Sequence, residues 1–440
     1  MKLYSSFKRH LAKIAVALGF KKDLWIPPQR KMCSELRTKY IVVATLGILF
    51  FAWSVIPFAE CANNAPDWYQ WRGPNRDGIS TEKGWLGVWS EGGPKVLWKT
   101  SVGIGYSTVS VSSGRIYTMG NAEKTDTVYC LDANTGAEVW KHSYPCEAKG
   151  EGHPGTAATP TVDGKSVYTL SRDGDLFCLN ADTGKVIWSK VLQKDFNAKA
   201  PTWGFACSPL VLDNWLILDV GPTLALDKAT GKLVWQSKEY APSYSSPFLF
   251  QFNGLRRLAV FPATGLVVLD AENGKELGLL PWKGGPDVNA VTPIVSDDKI
   301  FISSGYDVGG ALVQFSGDKL TTVWQNKNMR NHFNNCVLWE GHLYGFDETT
   351  LKCLDFQTGD EKWSQRGLGK GSLMFADGKL IIMSDKGDLV IAEASPASFK
   401  EISRAKILSG LCWTVPVLSG GKLYCRNHEG DLACLDVSGK

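Results

Sequence analysis

The sequence predicts an all-β chain folded as an eight-bladed β-propeller. Three observations predict it. A ten-residue stretch recurs along the chain. Its copies fall about 43 residues apart, the length of a four-stranded blade. The composition, with 45 Gly and 17 Trp, suits short antiparallel strands joined by tight turns. Eight such units close into one ring rather than dividing into separate domains.

The stretch is clearest at Leu131–Trp140, with Asp132, Thr135 and Gly136 at its centre, and returns at Leu179–Trp188, Leu226–Trp235 and Leu354–Trp363. A worn copy without Trp spans Leu269–Gly278, and a shortened one spans Leu435–Gly439. Apolar residues alternate on both sides of the D-x-x-T-G core, as strands require. Asp bonds its own backbone two residues on, Thr does so more weakly, and Gly supplies a positive φ. A type I turn followed by a left-handed Gly bulge connects two strands. The Trp four residues beyond the Gly is too large to stay exposed in every unit, so it is expected to pack between neighbours. Positions equivalent to Asp132 fall near 180, 227, 270, 316, 355, 393 and 436, and the units near 316 and 393 lack the motif. First strands are expected near Thr108, Thr161, Pro209, Phe248, Ile294, Val337, Met374 and Val417.

Taken in order, residues 1–39 form a basic leader, or a start ahead of the true one at Met32. Residues 40–62 are a signal peptide or a transmembrane anchor. Tyr40 to Ala59 carries no charge and is long enough to span a bilayer, and Ala59 and Cys61 suit a cleavage site. The basic flank stays inside, so the rest of the chain is exported, to the periplasm or anchored outside the cytoplasm. Residues 63–93 are rich in Trp, Gly and Pro. This non-repetitive segment is expected to lie across the ring and to pack its aromatics on the outside of the propeller; the alternative is a lid or a ligand contact through Arg72 or Arg76. Residues 94–440 are the propeller. Lys95–Lys99 reads as an orphan fourth strand, with Trp98 one period ahead of Trp140, and the C-terminal unit lacks that strand. The N-terminal strand is therefore expected to complete the last blade.

Charge excludes one class of partner. The net charge of +4 arises in residues 1–62, which hold ten Lys/Arg against three Asp/Glu, so the propeller is mildly acidic and no nucleic-acid partner is expected. Six scattered His form no zinc motif. Eleven Cys in an exported chain suggest disulfides. Cys130, Cys178, Cys353 and Cys434, however, share one repeat position and read as small buried strand residues; Cys146, Cys207, Cys336, Cys412 and Cys425 remain as partners for one another.

The D-x-x-T-G-x-x-x-W repeat, with Thr159-Pro160, Ser208-Pro209, Ser246-Pro247 and Thr292-Pro293 opening first strands, resembles the PQQ-like (quinoprotein) propeller repeat across roughly residues 94–440. The size, the single ring and the export signal resemble the BamB family of the outer-membrane protein assembly machinery. That resemblance implies a monomeric, non-catalytic propeller that binds envelope proteins. The superfamily's enzymes imply pyrroloquinoline quinone with calcium at one mouth of the ring, but this chain has neither their adjacent cysteine pair nor a C-x-x-C-H haem site.

The segments entering each first strand should converge on one mouth. There Trp203 or Trp413 offers a stacking face for a planar cofactor, Arg330 a partner for its carboxylates, and Asp287 or Asn289 a ligand for a hard cation. Asn334 adds a donor, and His332 a general base. The alternative is a polar rim that bonds itself and solvent. Two functions follow: an exported protein-binding scaffold in the cell envelope, or a quinone-dependent oxidoreductase or sensor.

Overall fold

Asp132 shows why the repeat makes a hairpin. Its Oδ1 accepts from the backbone N–H groups of Asn134 and Thr135, at 3.0 and 2.9 Å, and from the Thr135 hydroxyl at 2.9 Å. Gly136 follows at φ +71°, and the strand register shifts between Cys130 and Leu131, as a bulge requires. The same carboxylate or amide cap recurs at Asn180, Asp227 and Asp355. The computed structural model describes residues 67–90, 92–147, 153–285 and 288–439; the basic leader, the run Tyr40 to Ala59 and Asp287 lie outside the described residues.

These hairpins build eight sheets. First strands begin at Ser110, Thr161, Leu210, Phe248, Ile294, Val337, Ser372 and Val417, within two residues of the expected positions. Each of the first seven blades contains four consecutive antiparallel strands. In the eighth, Lys95–Ser101 pairs antiparallel with Asp431–Asp436, outside Lys422–Arg426 and Val417–Ser419. The α-helical content of the described residues is the single short helix Leu192–Phe196.

A Trp at the repeat position joins six of the eight blades to the next. Trp140 of blade 1 donates from Nε1 to Ala181 O of blade 2 at 2.8 Å, and Trp188 of blade 2 donates to Lys228 O of blade 3 at 3.0 Å. Trp98, Trp324 and Trp363 do the same across their own seams. The indole lies on the turn glycine of the next blade, so one motif supplies both halves of the joint. The worn copy keeps Gly274 for this reason: a Cβ there would lie 2.5 Å from Trp235. The apolar core accordingly divides into layers between blades. One packs blades 7, 8 and 1 together through residues such as Met374, Leu432 and Ile116, while others join blades 2 and 3 or 4 and 5.

A second set of links runs round the centre, where the first strands of neighbouring blades lie against one another. The Ser of each Ser-Pro reaches backward. Ser208 Oγ accepts the N–H of Thr159, and Ser246 Oγ accepts the N–H of Ser208, both at 2.9 Å.

The segment 67–78 does not pack on the outside of the propeller. It crosses the channel. Val111 and Val162 donate their N–H groups to Trp68 O and Tyr69 O, and Phe375 donates to Gly78 O. Trp71 Nε1 donates to Thr292 Oγ1 at 3.1 Å. Arg72 donates to Arg76 O, Asp77 O and Cys336 O, and Arg76 to Gln70 Oε1, Pro209 O and Ser208 O. The two arginines are thus neither lid nor ligand contact: they are buried and bind backbone carbonyls of blades 3 and 6. First strands have an unpaired edge facing the channel, and this segment satisfies part of it.

The cysteines correct a second expectation. The nine among the described residues are all buried, and none of them is bridged to another. Cys130, Cys178, Cys353 and Cys434 are small core residues, as their shared repeat position suggests, and Cys146, Cys207, Cys336, Cys412 and Cys425 are buried thiols as well rather than disulfide partners.

Candidate functional site

In a four-stranded antiparallel blade, the loop leading from one blade to the next and the hairpin between the second and third strands emerge at the same end. Both sets of loops therefore build one mouth. The cavity there is about 200 Å³. The crossing loops place Tyr106, His153, Trp203, Tyr244, His332, Phe333, Asn334 and Trp413 on its wall. The middle hairpins add Arg172, after Ser166–Leu170, and Tyr306, after Lys299–Ser304. Trp71, from the segment crossing the channel, also lines it.

Aromatic contacts hold this wall. Phe333 lies 4.4 Å from Trp413 and Trp203 lies 5.7 Å from Tyr244, centroid to centroid. Tyr106 stacks on His428 at 4.7 Å and on Trp413 at 5.9 Å. The Arg172 guanidinium carbon stands 5.7 Å from the centre of the Tyr106 ring.

Of the residues expected from sequence, Trp203, His332, Asn334 and Trp413 come together in this cavity. Arg330 does not line it. Its Nε and Nη2 donate to the two oxygens of Asp347, at 2.6 and 2.9 Å, and Nη1 donates to Asp307 at 3.0 Å. A guanidinium already shared between two carboxylates is not available for a cofactor. Asn289 does not line the cavity either: it is fully buried, donates to Pro262 O and accepts from the Ser304 hydroxyl. Asn334 Nδ2 is committed to the carbonyls of Lys370 and Gly371.

His332 is not the solitary base that the sequence suggests. Lys370 Nζ lies 2.8 Å from its Nδ1, and Glu348 lies 4.0 Å away. Burial, followed by the Lys370 ammonium, lowers its pKa to about 4. The ring is neutral at pH 7, and Nδ1 accepts from the lysine. His153 is pushed below the usual histidine range by burial and then by Arg172.

The sign of the pH effect follows. An unfolded histidine titrates near 6.5. Between pH 6.5 and 4 the unfolded chain binds a proton that folded His332 does not, so folding stability falls as pH is lowered through that window. Urea unfolding at pH 7 and pH 4.5 is expected to show His332→Gln losing about 1–2 kcal/mol less than the parent chain, with the group's partial exposure taken into account. Equal losses would rule out His332 as the source.

Sequence reasoning missed Arg172, Tyr306 and Trp71. It followed the blade-to-blade loops alone, whereas the parity of strand directions puts the middle hairpins at the same end. Ser171-Arg172-Asp173-Gly174, a hairpin turn carrying a cation, was the available signal.

Fold and repeat together define a PQQ-like β-propeller protein. The family described as outer membrane protein assembly factor BamB matches residues 82–154 and 124–365, and the chain belongs to it. It is 23% identical over 367 residues to outer membrane protein assembly factor BamB of Yersinia pestis, across 77% of this chain and 87% of that one. It is 27% identical over 201 residues to quinoprotein alcohol dehydrogenase PedE of Pseudomonas putida, across 43% of this chain and 30% of the enzyme. The crystal structure of quinohemoprotein alcohol dehydrogenase from Comamonas testosteroni gives a TM-score of 0.63 at 13% identity, over 86% of this chain and 82% of that one, a likeness of fold.

The quinone and calcium that the repeat's resemblance implies find poor support in the donor set here. No Asp or Glu lines the cavity among the described residues, and no group of three His, Cys, Asp or Glu among them could hold a metal ion. A hard cation needs several such oxygens. The aromatic wall suits a planar molecule, but the charged groups suit a different one.

Proposed function

We propose that this chain is an exported, non-catalytic propeller that binds proteins as an assembly scaffold in the cell envelope, on its periplasmic side. The observation that carries this reading is the match to the assembly factor along most of both chains. The likeness to PedE, by contrast, covers less than a third of that enzyme. The run Tyr40 to Ala59 serves in this reading as export signal or membrane anchor.

The outer strands offer a surface for such binding. Val96, Val139, Val186, Ile187, Leu233 and Val234, on blades 8, 1, 2 and 3, are each 44–49% exposed. Branched apolar side chains on unpaired outer strands are a template for another chain.

The test is cross-linking and capture of the tagged full-length chain from cell envelopes, alongside Val186→Glu combined with Ile187→Glu. The expected result is a reproducible envelope partner that the double substitution largely removes while the circular dichroism of the propeller is unchanged. Equal recovery by the folded variant would overturn the assignment of the surface. Absence of any partner, with dye reduction after loading with pyrroloquinoline quinone and calcium, would overturn the scaffold reading itself.

A further inference from the structure

The buried arginines of this chain follow one rule, with one departure. Arg72 and Arg76 each make three hydrogen bonds and Arg426 makes four. Arg257 is paired with Asp270 at 2.7 Å. Arg172 is 5% exposed, yet among the described residues it makes one hydrogen bond, from Nη1 to Trp203 O at 2.8 Å. Its Nε is buried without a partner, as are those of Arg76, Arg257 and Arg426, but its Nη2 also makes no hydrogen bond and no carboxylate lies within ion-pairing distance among the described residues. A buried cation left this way is costly unless an anion completes it.

What faces it is apolar and uncharged. Tyr106, Trp203, Tyr244, Phe333 and Trp413 supply ring faces, and no acidic side chain lines the cavity among the described residues. The neighbouring His153 and His332 are held neutral, so they neither repel the guanidinium nor compete with it for an anion. The cavity of about 200 Å³ admits a single ring with a substituent, since an apolar cavity of roughly 150 Å³ accommodates benzene.

We propose that the mouth of the propeller binds a small aromatic carboxylate, its ring between the Trp and Tyr side chains and its carboxylate on the unbonded Nη2 of Arg172. Such a charge-assisted hydrogen bond fixes orientation as well as charge. One unpaired guanidinium calls for one carboxylate, and among the described residues no acidic side chain on the cavity wall offers a counter-ion to an amine. This site goes beyond the scaffold reading and does not depend on it, because the cavity and the outer strands lie on different parts of the blades.

Calorimetry on the purified full chain, with benzoate, phenylacetate and indole-3-acetate as probes, tests it. Benzamide, phenylacetamide and acetate are the controls. The expected result is saturable binding of at least one aromatic carboxylate below about 1 mM, with its amide and acetate at least tenfold weaker. Arg172→Lys should weaken binding about tenfold, because the shorter side chain withdraws its donor from the place of Nη2. Ala206→Leu, which narrows the cavity without touching the charge, should also weaken it, and serves if Arg172 variants misfold. Equal binding of acids and amides would overturn the proposal. So would affinity unchanged in a folded Arg172→Lys protein, or no heat from any probe at about 5 mM.

Discussion

Arg426→Ala is expected to destabilise the propeller by about 3 kcal/mol or more. Arg426 ends the second strand of blade 8 and is 1% exposed. Its Nη1 donates to Ser107 O, the Thr118 hydroxyl and Met119 O, and its Nη2 donates to Gly103 O. Every acceptor belongs to blade 1 or to the strand leading into it. The side chain therefore clasps the last blade to the first. Burial lowers its pKa to about 9, so it remains charged at neutral pH. Truncation to alanine leaves Gly103 O without this donor and opens a cavity at the seam. Thr156 Oγ1 still serves Met119 O, and Thr118 Oγ1 still reaches Ser107 O, which keeps the cost from being larger. Arg426→Met restores the volume but none of the donors, and should fall between alanine and the parent. Denaturant unfolding monitored by far-ultraviolet circular dichroism measures the series. A loss under about 1 kcal/mol for the alanine variant would mean that the clasp is dispensable.

The strand-and-turn plan was legible because it is local. Asp132, Thr135 and Gly136 define a turn by their own side-chain chemistry, and the spacing of the copies counts the blades. Blades 5 and 7 were placed without the motif because the period carried across them; they form four strands with other connections, Ser316–Lys319 and Ala394–Lys400. That segment 67–78 lies across the ring was legible, but the surface it packs on was not. Its Trp, Gly and Pro residues fit packing on either surface, and only the unpaired inner edges of six blades decide in favour of the channel. At the mouth, the aromatic residues were found because the blade-to-blade loops must converge. The sequence reading named Arg330, which does not line the cavity, and passed over Arg172, which does. Arg330 and Arg172 look alike as residues, and the difference lies in Asp347 and Asp307, which reach Arg330 from neighbouring hairpins while nothing comparable reaches Arg172. Distant pairing of this kind leaves no pattern along a single chain.

The joint between Trp140 and Gly184 should show strong coupling. Trp140 is 8% exposed and fills the seam between blades 1 and 2. Trp140→Ala is expected to cost about 3–5 kcal/mol, by loss of buried area and by the cavity left behind. Gly184 sits at φ +69°, and a Cβ built on it would lie 2.5 Å from Trp140 Cε3. Gly184→Ala alone thus meets two penalties: about 1–2 kcal/mol for the left-handed backbone and a collision with the indole. In the Trp140→Ala background the collision has gone and the backbone term alone remains. The two substitutions are therefore expected to cost at least about 1 kcal/mol less together than the sum of their separate effects. The same relation holds at Trp98 with Gly136 and at Trp188 with Gly231, where a Cβ would lie 2.6 and 2.8 Å from the ring. Denaturant unfolding of the parent, both single variants and the double variant closes the cycle. Strict additivity would show that the glycine is required for its backbone conformation alone, and that the indole does not need the space a side chain would take.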